Sequence, residues 1–229
     1  MKILSIDTSS KNFSLSVSDD TEILSSYTLA LDKILSESII PAIDQSLKKA
    51  GVSLVEVDGF AVGLGPGSFT SLRVGLSTVK ALSLAAGKPV VGISSLDALA
   101  MNVNEDDEQI CTLTDARRNM MYACLYTKER ANLKRKSDYW LTTVKDFFKK
   151  IKGKAVLIGD GIKFLKSEGE TFDKKKFRLI PEKLWYPKAE LLSQLALKRF
   201  KVRQTDDVNT LVPLYVYPED CQVSNKNPK

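Results

Sequence analysis

The first hundred residues change periodicity in a fixed order, and this order limits the folds that the chain can adopt. Three short apolar or alternating segments, at 2–7, 14–18 and 22–29, predict three consecutive strands. Apolar residues then recur every four positions from Leu35 to Leu47, which predicts an amphipathic helix. Alternating strand and helix patterns follow. A strand meander that continues into β-α-β units predicts a mixed sheet with helices on its faces.

The same order of elements occurs in ribonuclease H-like and actin-like lobes, so we predict an α/β, two-lobed fold of that kind. An acidic and polar run at 102–109 predicts a boundary, and strand patterns begin again after it. We therefore expect an N-terminal lobe over 1–105 and a degenerate C-terminal lobe over 106–229 that ends in a polar tail.

Charge is divided unevenly between these two halves. The whole chain carries 34 Lys and Arg against 28 Asp and Glu, a net charge of +6. Counted separately, residues 1–105 carry a net −3 and residues 106–229 a net +9. A basic half favours an anionic partner such as RNA, and a solvated lysine-rich surface explains the same charge equally well.

Composition excludes several classes of site. The chain contains 0 histidines, which excludes imidazole metal sites and Ser-His or Cys-His nucleophile pairs but leaves carboxylate sites open. Cys111, Cys124 and Cys221 lack C-x-x-C spacing and indicate ordinary thiols in a reducing cytoplasm. The richest apolar stretch, 79–93, is interrupted by glycine, lysine and proline, so neither a membrane span nor a signal peptide is expected.

A glycine-rich segment at 63–68 lies between a predicted strand and a predicted helix. Backbone N–H groups at a helix N-terminus can hold phosphate or carboxylate. The segment lacks the Gly-Lys-Ser/Thr ending of a P-loop, and Ser68 stands where the dinucleotide fingerprint has its last glycine. We favour a tight strand–helix connection, with an anion loop formed by Gly65, Gly67 and Ser68 as the alternative.

The segment Asp7-Thr8-Ser9-Ser10 ends the first strand. Actin-like ATPases and sugar kinases place a phosphate- and Mg²⁺-contacting loop here, anchored by an aspartate and containing a glycine. This chain has serine and lysine in that turn, so we favour an Asx or Ser/Thr turn over nucleotide binding by Asp7, Thr8 and Ser9. Farther along, Asp115 and Arg117 lie at a strand end, where they either orient a substrate or fix the turn as an ion pair.

The predicted helix at 68–86 is rich in small residues. Gly75 costs about 1 kcal/mol in a helix interior relative to alanine, which indicates a close neighbour. That neighbour is either the lobe's own sheet or a helix of another subunit.

Seven segments together resemble the TsaB (YeaZ-type) family, and they follow the family's order through nearly the whole chain. The block at 65–75, Gly-Pro-Gly-Ser-Phe-Thr-x-x-Arg-x-Gly, is the most specific. The segments are ILSIDTSS at 3–10, LSESIIPAI at 35–43, GLGPGSFTSLRVGLSTVKAL at 63–82, GISSLDALA at 92–100, DARRNMMY at 115–122, GDG at 159–161 and PLYVY at 213–217.

The resemblance implies a non-catalytic subunit that binds the transferase TsaD directly and the ATPase TsaE through that complex. The complex forms threonylcarbamoyladenosine at position 37 of tRNAs that read ANN codons, so contact with tRNA would be indirect or weak. The resemblance also implies homodimers when the chain is alone, no metal, no catalytic residues and no cofactor of its own, with ATP and Mg²⁺ only within the complex.

In that family, the two helices that match 36–50 and 68–86 make the partner contact. The corresponding interface residues here are Leu35, Ile39, Ile43, Leu47, Thr70, Ser71, Arg73, Val74, Gly75, Thr78 and Leu82. Two positions depart from the family pattern: Leu35 replaces a frequent histidine, and Tyr217 replaces an arginine. Two alternatives stay open, namely a kinase or ATPase that binds Mg-ATP at Asp7 and the 63–68 loop, and an RNA-binding module that uses the basic half.

Overall fold

The computed structural model describes residues 1–30, 35–104, 109–129, 132–167, 173 and 175–216. Its first sheet contains β1 (Lys2–Asp7), β2 (Asn12–Asp19), β3 (Glu22–Ala30), β4 (Gly59–Gly63) and β5 (Val90–Ile93). In space the strands follow the order β3-β2-β1-β4-β5. The first three strands are antiparallel, whereas β1, β4 and β5 run parallel, so the predicted meander and β-α-β units form one mixed sheet.

The second sheet follows the order β11-β10-β6-β7-β8, and β9 also pairs with β7. Its strands are β6 (Gln109–Asp115), β7 (Met121–Glu129), β8 (Asn132–Arg135), β9 (Trp140–Thr142), β10 (Ala155–Ile158) and β11 (Phe177–Leu179). Strands β6, β10 and β11 are parallel to one another, and β7 is antiparallel to β6. This lobe is therefore also mixed.

Six α-helices lie within the described residues. They are α1 (Leu35–Ala50), α2 (Phe69–Ala86), α3 (Ser95–Ala100), α4 (Val144–Lys150), α5 (Ile162–Ser167) and α6 (Ala189–Lys201). Helices α1 and α2 cover one face of the first sheet, where Leu4 and Ile6 join their core. Helix α6 covers the other face, where Ile3 packs with Leu192 and Ala196. Strand alternation thus gives the first sheet a core on each side.

The chain returns to the first lobe after it has built the second. Helix α6 follows all strands of the second sheet, yet it packs on the first sheet. Beyond it, the Asp206 N–H donates to the Val90 carbonyl at 2.9 Å, and the Leu214 N–H donates to the Leu64 carbonyl at 2.8 Å. A division at residue 105 does not anticipate this return, because contacts between distant segments leave no periodic signal in the sequence.

The helix termini carry only some of the usual caps. Ser94 accepts from the Leu96 N–H as the N-cap of α3, and Gly87 ends α2 in the left-handed conformation. Ser68 occupies the N-cap position of α2 without a side-chain capping bond. Pro41 lies beyond the first turn of α1. It is exposed, as is Glu37, whose carbonyl loses its helical partner.

Candidate functional site: the interlobe cleft and the outer face of α1 and α2

The end of β1 is held by the buried carboxylate of Asp7. Its Oδ1 accepts from the Ser9 N–H at 2.9 Å and from the Ser9 hydroxyl at 2.7 Å, and its Oδ2 accepts from the Ser95 hydroxyl at 2.5 Å. Burial raises the pKa of Asp7, and the hydrogen bonds from Ser95 and Ser9 oppose that rise. Asp7 is fully buried and both of its oxygens accept hydrogen bonds within the protein, so it closes the turn in this structure. Nucleotide binding by Asp7, Thr8 and Ser9 stays a prediction.

The glycine-rich loop packs directly on this turn. A Cβ on Gly63 would overlap Asp7 Oδ2, and a Cβ on Gly67 would overlap the Ser9 carbonyl. The Ser68 N–H donates to the same Ser9 carbonyl at 2.9 Å, and the Gly65 N–H donates to Ser95 Oγ at 3.0 Å. These contacts explain the glycines by close packing, and anion binding by Gly65, Gly67 and Ser68 stays a prediction.

Gly75 also serves the packing of its own lobe. It is buried, and a Cβ at this position would overlap Thr8 Oγ1 and lie 2.9 Å from Thr8 Cγ2. The Thr8 hydroxyl donates to the Ser71 carbonyl at 2.8 Å and so ties α2 to the β1–β2 turn. Of the two neighbours considered for Gly75, its own lobe supplies the one seen here, because Thr8 fills the space. A partner contact by Gly75 stays a prediction.

The apolar stripe of α1 packs inward. Leu35, Ile39, Ile43 and Leu47 are each at most 7% exposed, and all four belong to the core between α1, α2 and the first sheet. The expected role of these four side chains as partner contacts is not supported by their positions. Apolar residues that recur every four positions indicate that one face of the helix is buried. They do not show whether that face packs on a sheet of the same lobe or on a second subunit.

The outer surface of α2 carries a different set of residues, which we call the outer stripe of α2. Its members follow one another at intervals of three or four residues and are all exposed: Thr70, Arg73, Ser77, Ala81 and Leu84. Leu84 is 60% exposed, and Ile40 on the neighbouring α1 is 55% exposed. Ser71, Val74, Thr78 and Leu82 are half-buried beside the stripe. Helix α2 thus presents mostly small side chains and Leu84 to solvent, and Ile40 adds an apolar side chain from the otherwise polar outer surface of α1.

One end of the outer stripe joins an exposed aromatic cluster. The Arg73 guanidinium lies over the Phe69 ring, 3.7 Å from its centroid, and Arg73 Nε donates to the Tyr215 hydroxyl at 3.3 Å. The Phe69 and Tyr215 ring centroids are 5.8 Å apart, and these residues are 54% and 51% exposed. Exposed aromatic and arginine side chains of this kind are enriched at binding hot spots.

A cavity of about 870 Å³ separates the two lobes. The first lobe contributes the turn at 9–11 and the start of α2, including Ser68 and Phe69. The second lobe contributes residues 114–118 and the segment around Asp160, and the C-terminal segment contributes Tyr215. Clefts between domains are common ligand sites, so this cavity is the main candidate for one here.

Both walls of the cleft carry cations. Its charged lining side chains are Lys11, Arg117, Arg118, Lys163, Asp115 and Asp160. Arg117 Nη1 lies 3.7 Å from Asp115 Oδ2, which confirms the ion pair considered from the sequence, although Arg117 is 87% exposed. Lys163 pairs with Glu182 outside the cavity at 3.5 Å. Asp160 accepts from the Asp115 N–H at 3.0 Å, and burial raises the pKa of Asp160.

The β6–β7 turn beside the cleft has an unusual backbone. Arg117, Arg118 and Asn119 adopt positive φ angles of 66°, 52° and 58°. The left-handed region costs most L-residues about 1–2 kcal/mol, and this cost applies to Arg117 and Arg118, whereas asparagine tolerates the region better. The Asp115 carboxylate accepts from the Arg117 N–H at 2.6 Å, and the Met120 N–H donates to the Arg117 carbonyl at 3.0 Å. These bonds hold both arginines in the strained turn.

The sequence also raised questions about the cysteines, the C-terminal tail, metal ligands and membrane-spanning helices. Cys111 and Cys124 are free and buried in the second lobe. Tyr217 and the polar tail, including Cys221, lie outside the described residues. In the described ranges, no three or more Cys, Asp or Glu side chains are grouped so that they could hold a metal ion. None of the helices in that same part of the chain has the length and apolar character needed to cross a bilayer.

Comparisons with known proteins identify the family. Residues 23–178 match the family model described as TsaD, tRNA N6-adenosine threonylcarbamoyltransferase. The tRNA threonylcarbamoyladenosine biosynthesis protein TsaB of Buchnera aphidicola is 31% identical over 181 residues, which cover 76% of this chain and 86% of that protein. This chain belongs to the TsaB family. The TsaB protein of Bacillus subtilis is 32% identical over 126 residues, and that match spans only 55% of each protein.

A solved structure supports the fold of this TsaB-family chain. A Pseudomonas aeruginosa protein with similarity to the peptidase YeaZ superposes with a TM-score of 0.82. It is 22% identical, and the superposition covers 94% of this chain and 99% of that one. With the strand orders given above, this likeness confirms the predicted actin-like, two-lobed fold with mixed sheets flanked by helices.

Sequence reasoning missed part of the cleft. Arg118, Lys163 and Tyr215 were not proposed as site residues, and they come together only because the C-terminal segment and two strand ends meet between the lobes. The family-specific segments at 115–122 and 159–161 were the signal that could have found them, since both border the cleft.

Proposed function

We propose that this chain takes part in the biosynthesis of threonylcarbamoyladenosine in tRNA as a non-catalytic subunit that binds a TsaD-type transferase. The observation that carries the proposal is its membership of the TsaB family, whose curated members are named for that biosynthesis. The transferase model also matches more than half of the chain, at 23–178, which is consistent with a paralogue of the enzyme.

The chemistry available to the chain supports a role without catalysis. It has 0 histidines, so no imidazole base or metal ligand is present in the sequence. Asp7, the residue proposed to anchor Mg-ATP in the alternative function, has both carboxylate oxygens bonded to serines. Nothing favours that alternative, and we propose that ATP and Mg²⁺ act only within the complex, which TsaE joins through the transferase.

The outer face of α1 and α2 is the surface that we propose for the transferase. Ile40 and Leu84 are 55% and 60% exposed, and Ser77 and Ala81 allow the backbone of a partner helix to come close. We further propose that the same face forms a homodimer when the transferase is absent.

A charge on the proposed face tests this proposal. Leu84→Glu should abolish co-elution with the transferase from the same organism in gel filtration, because burying an unpaired carboxylate costs several kcal/mol. Cells that depend on this variant should lose threonylcarbamoyladenosine, measured by mass spectrometry of digested tRNA. The side chain is exposed, so the variant should remain folded by circular dichroism.

Val202→Glu provides a matched control. Val202 is 71% exposed and follows α6, which covers the opposite face of the first sheet. This variant should pair with the transferase and support modification as the unchanged chain does. If Leu84→Glu pairs normally, or if both variants lose pairing alike, the proposed face is wrong.

A further inference from the structure

The cleft between the lobes combines features that suit a single-stranded nucleic acid. Four cations and two carboxylates line it, which leaves a positive balance on its walls. Phe69 and Tyr215 lie among the lining residues and keep 54% and 51% of their surface exposed. A cationic groove with accessible aromatic rings is the usual construction of sites that bind single-stranded RNA or DNA.

The two arginines of the β6–β7 turn are the centre of this arrangement. Arg118 is exposed, and within the described part of the chain it forms no ion pair. Its neighbour Arg117 contacts Asp115 only at 3.7 Å and is 87% exposed, so most of its donors face solvent. Guanidinium groups bind phosphate through paired N–H donors, and here three left-handed residues fix the direction in which both arginines project.

The facing walls supply the remaining cations. Lys11 comes from the β1–β2 turn of the first lobe, where its ammonium lies 4.9 Å from the centroid of the Tyr186 ring. Lys163 comes from α5 of the second lobe and borders the same cavity. An extended phosphate chain can therefore meet cations from both lobes.

We propose that this cleft binds a single-stranded segment of the RNA substrate, with Arg117 and Arg118 on its phosphates and the rings of Phe69 and Tyr215 beside its bases. The inference rests on the proposed function, which supplies tRNA as the RNA. It goes further by assigning a direct RNA contact to this subunit and by placing the contact in the cleft at the start of α2, whereas Leu84 and the middle of the outer stripe are proposed for the transferase. The net charge of +9 over 106–229 is consistent with this location.

The experiment measures fluorescence anisotropy of labelled tRNA, and of a labelled single-stranded RNA, with the purified full-length chain. We expect binding that weakens as salt rises from about 50 to about 200 mM. Arg117→Gln with Arg118→Gln should weaken binding roughly tenfold at physiological salt, because two phosphate contacts are lost. Lys11→Gln with Lys163→Gln should act in the same direction through side chains outside the strained turn.

Lys152→Gln with Lys154→Gln is the matched control pair. Both lysines are exposed, and they lie at the opposite end of β10 from Asp160, so the same charge is removed away from the cleft. Equal weakening by this pair would overturn the proposal, as would the absence of RNA binding by the unchanged chain. Binding of ATP that competes with RNA and equals it in affinity would also overturn it in favour of a free nucleotide.

Co-elution with the transferase separates this inference from the proposed function. The Arg117 and Arg118 double variant should still pair with it, because the turn lies outside the proposed face. Retained pairing with unchanged RNA affinity would overturn the cleft assignment alone. Loss of RNA binding with retained pairing would support it.

Discussion

Thr8 occupies the space in which any side chain on Gly75 would have to sit. A Cβ at Gly75 would overlap Thr8 Oγ1 and lie 2.9 Å from Thr8 Cγ2. The same hydroxyl donates to the Ser71 carbonyl, so the glycine lets α2 approach the β1–β2 turn closely enough for that bond. The small residue at this position therefore belongs to the fold of the first lobe.

Gly75→Ala is expected to destabilise the chain by about 1–3 kcal/mol, because overpacking outweighs the gain in helix propensity. Thr8→Ala should lose the bond to Ser71 and cost about 1 kcal/mol by itself. The double variant should be more stable than the sum of the two losses predicts, since alanine at 8 opens the space. Urea unfolding of the four proteins measures this coupling, and additive losses would contradict the packing account.

Asp7 offers a test that separates structure from nucleotide chemistry. Asp7→Ala should cost about 2–4 kcal/mol, because it leaves the Ser9 and Ser95 donors buried without their acceptor. Asp7→Asn retains acceptors for Ser9 and should cost much less. If Asp7 is structural, the asparagine variant should also keep tRNA modification in cells. Loss of modification in a stable Asp7→Asn protein would instead support the Mg-ATP alternative.

The pH dependence of stability follows from the same carboxyl group. Burial raises the pKa of Asp7, so the folded chain holds this proton at pH values where the unfolded chain has released it. The contribution of Asp7 to the free energy of unfolding should therefore fall as pH rises from its unfolded value near 3.8 through its raised folded value. Asp7→Asn should remove this part of the slope in unfolding curves measured across that range. An identical slope in both proteins would show that folding leaves the pKa of Asp7 unchanged.

The fold could be predicted from the sequence because local patterns determine most of its elements. The sequence predicts strands β1 and β3 and helix α2 within one or two residues, because each has a clear local pattern. The three-residue strands β9 and β11 and the short α5 were missed, since so few residues do not complete a periodic pattern. Their positions depend on pairing with strands that are distant in the sequence.

The site was harder to predict than the fold for a related reason. The stripe from Leu35 to Leu47 is correctly amphipathic, but its partner is the lobe's own sheet. Exposed residues such as Leu84 do not form a hydrophobic pattern in the sequence, because many types of side chain are tolerated at exposed positions. Arg118 and Tyr215 meet at one cleft only after both lobes have formed.

The Arg199–Asp206 pair is expected to fix the return of the chain to the first lobe. Arg199 Nη2 donates to Asp206 Oδ1 at 2.9 Å, Arg199 Nη1 donates to the Gly92 carbonyl at 2.9 Å, and Asp206 Oδ2 accepts from the Gly92 N–H at 2.7 Å. Asp206→Ala should destabilise by about 2–3 kcal/mol, since a half-buried guanidinium and a backbone donor lose their acceptor. Arg199→Lys should destabilise the chain by less, because lysine keeps the charge but loses the two parallel donors of the guanidinium. Chemical unfolding can measure both changes in the free energy of unfolding. If Asp206→Ala changes the free energy of unfolding by less than about 0.5 kcal/mol, the pair contributes no more than an ordinary surface ion pair.

Arg118→Gly is expected to stabilise the chain while it weakens RNA binding. Arg118 has a φ of 52°, which glycine adopts without the side-chain penalty. Removing the backbone strain should stabilise the folded chain by about 1–2 kcal/mol, and the extra conformational entropy that glycine loses on folding should cost about 0.5–1 kcal/mol. The free energy of unfolding should therefore rise by about 0.5–1 kcal/mol, which thermal unfolding can measure. As a control, Arg73→Gly lies in the second turn of α2, where glycine should destabilise by about 1 kcal/mol. Opposite signs for the two variants, with weaker RNA binding by Arg118→Gly, would mean that the turn holds its arginines at the expense of stability because the cleft needs them there. A loss of stability in Arg118→Gly would instead show that the side chain, and not the backbone conformation, is what the fold requires at this turn.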